Sequence, residues 1–147
     1  MSYGTSEFQP SHVVVTTLVG RLLVIARRHD MVGGARGPGE PLIPRPGLTL
    51  PEIRAAVATV APGRLPEMFT KMQDAFTRAG EQNSVIPIRM FYREWAVIVE
   101  IERHPETAIR LHDAERALMS EDPAIRKAAI ATAGEIVRAA HKAVAEE

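Results

Sequence analysis

The sequence has no cysteine, a single tryptophan and no excess of either charge, because 18 Lys and Arg balance 18 Asp and Glu over 147 residues. The lack of cysteine excludes a disulfide framework and thiolate metal sites, and it is typical of a protein in a reducing cytoplasm. The balanced charge excludes the strongly basic field on which non-specific nucleic-acid binding depends. A contact with DNA would therefore have to come from a local patch.

The sequence also lacks the short motifs that carry catalysis or hold a cofactor, such as Gly-x-Ser-x-Gly, Gly-x-Gly-x-x-Gly and His-Glu-x-x-His. Four residues of metal-ligating type lie close together in the sequence: His104, Glu106, His112 and Glu115. Their spacing does not match a known metal-binding motif. We therefore expect a non-enzymatic protein without a metal or a cofactor. A catalytic pairing in space stays open for four carboxylates: Glu52, Glu67, Glu94 and Glu100.

The most apolar stretch runs from Ser84 to His104 and contains the only tryptophan, Trp95. Its β-branched run, residues 97–99, favours a strand locally, but an unbroken pattern of about 20 residues is too long for an ordinary strand. We predict a central helix with neighbours on most sides. A narrow polar seam is expected along one side of it, formed by Arg89, Arg93 and Glu100.

A second apolar run, residues 12–26, is too short and too interrupted for a membrane span. No Lys or Arg precedes it, which argues against a secretory signal. Residues 31–48 are rich in Gly and Pro and predict a flexible or extended linker. The sequence thus divides into a poorly ordered N-terminal extension with its linker, residues 1–48, and a helical domain, residues 49–147.

Start and stop signals predict five helices in that domain, so the fold class is all-α. Thr49 and Glu52 suggest a capping box at the first helix, and Gly80 is expected to end the second. Pro105 starts the fourth helix, while Asp122 caps the fifth before Pro123. The core is expected to centre on Trp95 with four further side chains: Phe69, Met72, Phe76 and Phe91.

Two apolar surfaces are candidates for binding a protein partner. The fifth helix carries an apolar stripe formed by Ile125, Ala129, Ala133, Ile136, Ala140 and Val144, while Ile130 and Val137 lie off it and could support a homodimer. The second candidate lies in the N-terminal apolar run: Val13, Val15, Leu18 and Leu22. This run could instead dock on its own helical domain, and the sequence leaves both alternatives open.

A DNA-binding regulator is the alternative function, because the second helix, its turn and the third helix have the outline of a helix-turn-helix. The first turn of that third helix is apolar, whereas recognition helices lead with polar side chains. A second candidate patch is the basic pair Arg126 and Lys127 at the start of the fifth helix, but the acidic residues Glu121 and Asp122 precede it.

A pattern of alanines, prolines and one tryptophan between about Thr49 and Pro105 resembles a group of short actinobacterial helical proteins known as a domain of unknown function, some of them encoded beside RelE-like toxins. The residues that carry it are Pro51, Ile53, Arg54, Ala55, Ala56, Pro62, Arg64, Phe69, Ala75, Ala79, Pro87 and Trp95. The N-terminal extension and the fifth helix lie outside it. The resemblance implies a small cytoplasmic, antitoxin-like binding module without catalytic residues.

Overall fold

The computed structural model describes residue 37 and residues 39–146. This part of the chain contains five α-helices and one 3-10 turn, and no strand. The helices are α1 (Leu50–Val60), α2 (Leu65–Gln82), α3 (Ile86–Glu102), α4 (Pro105–Ala117) and α5 (Pro123–Ala145), and the 3-10 turn is Pro62–Arg64. The all-α prediction is confirmed. The N-terminal apolar run, with Val13, Val15, Leu18 and Leu22, lies outside the described residues.

Every α-helix has a proline in its first two positions: Pro51, Pro66, Pro87, Pro105 and Pro123. The first N–H groups of a helix have no acceptor within it, so a residue without an N–H costs nothing there. The prediction that Asp122 caps α5 is confirmed, because its Oδ1 accepts from the Ala124 N–H at 2.8 Å. These local signals explain why the helix starts follow the sequence closely.

Two predicted helix ends are wrong in detail. The Thr49 side chain makes no capping hydrogen bond, and Glu52 instead accepts from the Gly47 N–H at 2.6 Å. α2 continues past Gly80 to Gln82 and ends where Asn83 adopts a left-handed conformation, φ 46°. Asparagine tolerates this conformation better than most residues, so it ends the helix as glycine would.

The core surrounds α3, which packs against each of the other four α-helices. Every residue from Trp95 to Ile101 is buried, so tertiary packing outweighs the strand preference of residues 97–99. Glu100 belongs to this buried run, so the predicted polar seam is exposed at Arg89 and Arg93 and buried at Glu100. The largest fully buried side chains are Trp95, Ile53, Met68, Val57 and Val99.

The aromatic part of the predicted core is correct on α3 and wrong on α2. Phe91 is buried and lies 6.4 Å from Trp95 between ring centroids. Phe69 and Phe76, however, are 38% and 49% exposed. α2 packs through the face of Met68 and Ala75, and the two phenylalanines, about two turns apart, lie on the flank of that face.

α5 packs against α3 and α4. The predicted stripe is buried along most of its length, at Ala129, Ala133, Ile136, Ala140 and Val144. Two expectations at its edges are wrong, because Ile125 is 47% exposed and Val137 only 7% exposed. Val137 follows Ile136 directly in the sequence. Because the alanines of α5 let it pack closely against both α3 and α4, Val137 is buried as well.

Residues 41–47, which we call the strap, belong to the segment for which a flexible or extended linker is predicted, and they contact the helical domain. The Leu42 N–H donates to the Arg103 carbonyl at 2.7 Å, and Arg103 Nη1 donates to the Ile43 carbonyl at 3.0 Å. Leu42 and Ile43 also pack against the core. These contacts hold the strap to the end of α3.

Candidate functional site

Glu100, near the C-terminal end of α3, is the centre of a buried ionic cluster. Its carboxylate accepts from Arg45 Nε at 2.9 Å and Nη2 at 3.0 Å, and from Arg103 Nε at 2.8 Å and Nη2 at 3.3 Å. His104 Nε2 lies 3.5 Å from the same group. Arg45 also donates to the Ala143 carbonyl at 2.9 Å and thereby joins the strap, α3 and α5.

The electrostatics of this cluster hold Glu100 in its ionised form. Burial alone would raise the pKa of Glu100, but the hydrogen bonds and charges of Arg45 and Arg103 hold it below its ordinary value. Such a carboxylate is a weak base and carries no proton to donate near neutral pH. The cluster is therefore suited to fastening the strap to the domain and poorly suited to acid–base catalysis.

A groove of about 310 Å³ lies beside Glu100, between α3, α4 and α5. Ile101 and Ile136 contribute apolar surface to it, and His104, Arg110 and Glu135 contribute polar groups. The Glu100 oxygens are already hydrogen-bonded to two guanidinium groups. The groove thus offers a partly polar surface without a free catalytic carboxylate at Glu100.

A second buried carboxyl, Glu115 on α4, has a different environment. Its side chain is 5% exposed, and its Oε1 has no hydrogen-bond partner in the described part of the chain. Burial first, and the Glu102 charge second, raise the pKa of Glu115 to about 7 against the opposing charges of His112 and Arg64. The pKa values of the two buried carboxyls are thus shifted in opposite directions.

His112 and Glu102 connect α4 to α3 beside this carboxyl. His112 Nε2 lies 3.4 Å from Glu102 Oε1, and the hydrogen bond to Glu102 raises the pKa of His112 against the effect of burial. Arg64, in the 3-10 turn, lies over the Trp95 ring at 5.2 Å from its centroid. Its Nε and Nη2 both donate to Glu67 Oε2 at 3.1 Å.

The start of α3 forms an exposed apolar surface, which we call the α3 face: Val85, Ile86, Arg89, Met90 and Arg93. Val85, Ile86 and Met90 are 57%, 61% and 64% exposed. Spacings of three and four residues place Ile86, Met90 and the two arginines on one side of the helix. Neither arginine forms an ion pair with another residue that the structure describes.

Of the basic pair proposed for DNA contact, Arg126 already forms hydrogen bonds within the protein and Lys127 is free to contact solvent. Arg126 Nη1 donates to the carbonyls of Ser120 and Glu121 at 2.7 and 2.8 Å, so part of its guanidinium group closes the turn before α5. Lys127 is exposed. Among the partner-binding residues predicted on α5, Ile130 is 55% exposed and Val137 is buried.

The four carboxylates considered as a catalytic pair have separate surroundings. Glu52 accepts from Gly47, Glu67 from Arg64 and Glu100 from two arginines, while Glu94 is exposed. No group of three or more His, Cys, Asp and Glu side chains able to hold a metal ion occurs among the residues described. The same residues include no helix long and apolar enough to cross a membrane.

The sequence analysis predicted neither the ionic cluster around Glu100 nor the buried carboxyl of Glu115. Glu100 and Arg103 are three residues apart on one helix, which is a usable local signal. Arg45 lies 55 residues before Glu100, and no local pattern joins them. Glu115 had been considered only as a metal ligand, since its burial depends on where α4 meets α3.

The chain was also compared with known proteins. It matches no protein-family model, and no curated protein or solved structure resembles it at a significant level.

Proposed function

We propose that this protein is a non-enzymatic interaction module that binds a partner protein through the α3 face. The observation that supports it is the large exposed fraction of Val85, Ile86 and Met90 at the start of α3. Contiguous exposed apolar surface of this kind is characteristic of protein–protein contact sites. Methionine and arginine, both present on the α3 face, are enriched in protein–protein interfaces relative to the rest of the surface.

The charges on the α3 face define the kind of partner. Arg89 and Arg93 border the apolar side chains and are exposed, and Glu94 lies at the edge. A complementary surface would have apolar side chains flanked by Asp or Glu, because an acidic group can pair with each arginine. The resemblance to proteins encoded beside RelE-like toxins makes a toxin-like protein the specific partner we propose. The cysteine-free sequence supports a cytoplasmic location.

Self-association through α5 is a second part of the proposal. Ile125 and Ile130 are 47% and 55% exposed on this helix. Because α5 also buries seven residues in the domain, its removal would unfold the protein. A single substitution, Ile130→Asp, tests the dimer without removing α5. Light scattering should show the wild type at the mass of a dimer and the variant at the mass of a monomer. An unchanged mass would exclude a dimer through Ile130.

The binding test uses the full chain and the protein encoded next to it. Ile86→Asp/Met90→Asp places two charges in the apolar part of the α3 face, and we expect calorimetry to show affinity weakened at least about tenfold. Ile109→Asp is the matched control, because Ile109 is 59% exposed but lies on α4. Equal weakening by both variants would contradict binding through the α3 face.

The DNA-binding alternative is distinguished in the same experiment. The apolar side chains at the start of α3 and the carbonyl-bound guanidinium group of Arg126 are what count against it. A regulator would bind duplex DNA at low salt and lose that binding as salt rises. Salt-sensitive DNA binding abolished by Arg126→Ala/Lys127→Ala, without binding of the neighbouring protein, would replace the interaction module with a regulator.

A further inference from the structure

The non-helical strap contacts the domain in the way that a bound peptide contacts its receptor. Its backbone both donates and accepts, because the Leu42 N–H donates to the Arg103 carbonyl at 2.7 Å and the Ile43 carbonyl accepts from Arg103 Nη1 at 3.0 Å. The side chains of Leu42 and Ile43 pack against the core, and Arg45 adds a charged contact. Main-chain hydrogen bonds together with contacts to individual side chains are how proteins recognise non-helical peptide segments.

Arg45 makes the most specific of these contacts. Its Nε and Nη2 donate to the two oxygens of Glu100 at 2.9 and 3.0 Å, and its Nη1 donates to the Ala143 carbonyl at 2.9 Å. Pairing with both carboxylate oxygens at once requires the planar fork of arginine, because lysine has a single ammonium group. Ala143 lies in the last turn of α5, where carbonyls have no partner within the helix. The ends of α3 and α5 thus form a receptor for one arginine side chain.

The residues on both sides of the strap allow it to open. In the described part of the chain, no atom beyond the immediate chain neighbours lies within 4 Å of the position that a Cβ atom would take at Gly37 or Gly39. After the strap, Leu48 is 39% exposed. A segment bordered by such residues opens at a lower free energy than a packed helix. Opening uncovers the Glu100 carboxylate on the side where Arg45 pairs with it, so the open site attracts another guanidinium group.

We propose that the surface under the strap, at the ends of α3 and α5, binds a non-helical segment of a partner protein, and that the strap is the tethered competitor of that segment. The partner segment has two consecutive apolar residues and an arginine two positions after the second, because Leu42, Ile43 and Arg45 fill the site in this order. A proline at the position of Pro44 suits it, since a fixed φ reduces the entropy lost on binding. The site lies at the opposite end of α3 from the α3 face and does not depend on it.

The strap determines how strongly the site binds a free segment. A free segment binds only those molecules whose strap is open, so its apparent affinity is reduced by the open fraction. Arg45→Ala removes the arginine of the strap and leaves the receptor groups of Glu100, Arg103 and Ala143 in place. This variant should therefore bind a free peptide more tightly than the wild type, whereas loss of a binding residue would weaken affinity.

The test uses the full chain and a fluorescein-labelled peptide with the sequence of residues 40–48. We expect fluorescence polarisation to show at least about tenfold tighter binding to Arg45→Ala than to the wild type. Arg78→Ala, at an exposed arginine of α2, is the matched control and should bind as the wild type does. Circular dichroism checks that each variant is folded. Equal binding to the wild type and Arg45→Ala, or binding to neither, would overturn the proposal.

Changes in the peptide and in the receptor locate the contact. A peptide with alanine in place of its arginine should not bind Arg45→Ala, and one with lysine should bind more weakly, because only arginine pairs with both oxygens of Glu100. Arg45→Ala/Glu100→Gln should lose the affinity that Arg45→Ala gains. Equal affinity of the alanine peptide would disprove recognition of arginine, even if the double variant failed to fold. A wild-type dimer that dissociates in Arg45→Ala would overturn the assignment to a partner protein and give the site to the strap of a second copy.

Discussion

Two glutamates of similar burial, Glu100 on α3 and Glu115 on α4, respond to their surroundings in opposite ways. Glu100 is 8% exposed and Glu115 is 5% exposed, so burial opposes ionisation of both. Glu100 accepts four hydrogen bonds from two guanidinium groups, and its pKa is lowered. Glu115 has an oxygen without a partner and faces Glu102, and its pKa is raised. Burial alone therefore does not decide the charge of a carboxyl; its partners do.

The largest effect that bears on this comparison is expected from Trp95→Ala. Trp95 is 1% exposed, and its removal should lower the free energy of unfolding by about 3–5 kcal/mol through the cavity it leaves. Urea denaturation measures this loss. A loss below about 1 kcal/mol would show that Trp95 is not at the centre of the core.

The second prediction concerns Glu100, the carboxylate at the centre of the ionic cluster with Arg45 and Arg103. Glu100→Ala leaves the largely buried guanidinium of Arg103 without its carboxylate, and we expect a loss of about 3 kcal/mol in urea denaturation. Glu94→Ala is the control on the same helix, because Glu94 is exposed and its replacement should cost less than about 0.5 kcal/mol. Similar losses for the two variants would mean that the cluster contributes no specific stability.

The third prediction concerns the unpaired carboxyl, Glu115, whose replacement should stabilise the protein, whereas replacement of Glu100 should destabilise it. Glu115→Gln cannot ionise, so at about pH 8 the variant should be more stable than the wild type by roughly 1–3 kcal/mol. Near pH 4 the wild-type carboxyl is protonated in both folded and unfolded chains, and the difference should vanish. Urea denaturation at the two pH values measures it. A stability gain that is the same at both would contradict the pKa shift.

The pH dependence of the wild type follows from three groups, Glu100, Glu115 and His112. The raised pKa values of Glu115 and His112 contribute stability that is complete below their unfolded values, 4.5 and 6.5, and is lost as pH rises through the folded ones. The lowered pKa of Glu100 contributes stability above 4.5 that is lost as pH falls through its folded value. We expect the thermal midpoint to be highest at mildly acidic pH and to decline in both directions. A midpoint that climbs steadily up to pH 8 would disprove this balance.

The smallest effect is expected from Arg45→Ala, which releases the strap but leaves Arg103 on Glu100. Hydrogen bonds to charged groups contribute about 1.5–3 kcal/mol, and the partly exposed Arg45 should lie at the lower end. Limited proteolysis should then cut within residues 41–47 faster than in the wild type. Arg78→Ala, at an exposed arginine of α2, serves as the control. Unchanged cleavage would show that the backbone bonds of Leu42 and Ile43 hold the strap without Arg45.

The helices could be predicted from the sequence, and their contacts could be predicted only in part. Prolines near each start and Asp122 act on the first turn of their own helix, so those signals are readable locally. Phe69 and Phe76 share the apolar pattern of α2, but only the position of α3 decides which side of that pattern is covered. The apolar first turn of α3 is evident from the sequence, but the large exposure of Ile86 and Met90 depends on how α3 packs.

The all-α fold and the helix starts marked by prolines follow from the sequence, because helix-forming signals act over a few neighbouring residues. Which charged groups meet depends on how the helices pack, since Arg45 and Glu100 are 55 residues apart and Glu102 and His112 belong to different helices. The physical reason is that a carboxyl is desolvated and paired by whatever packs over it, and packing is a property of the whole fold.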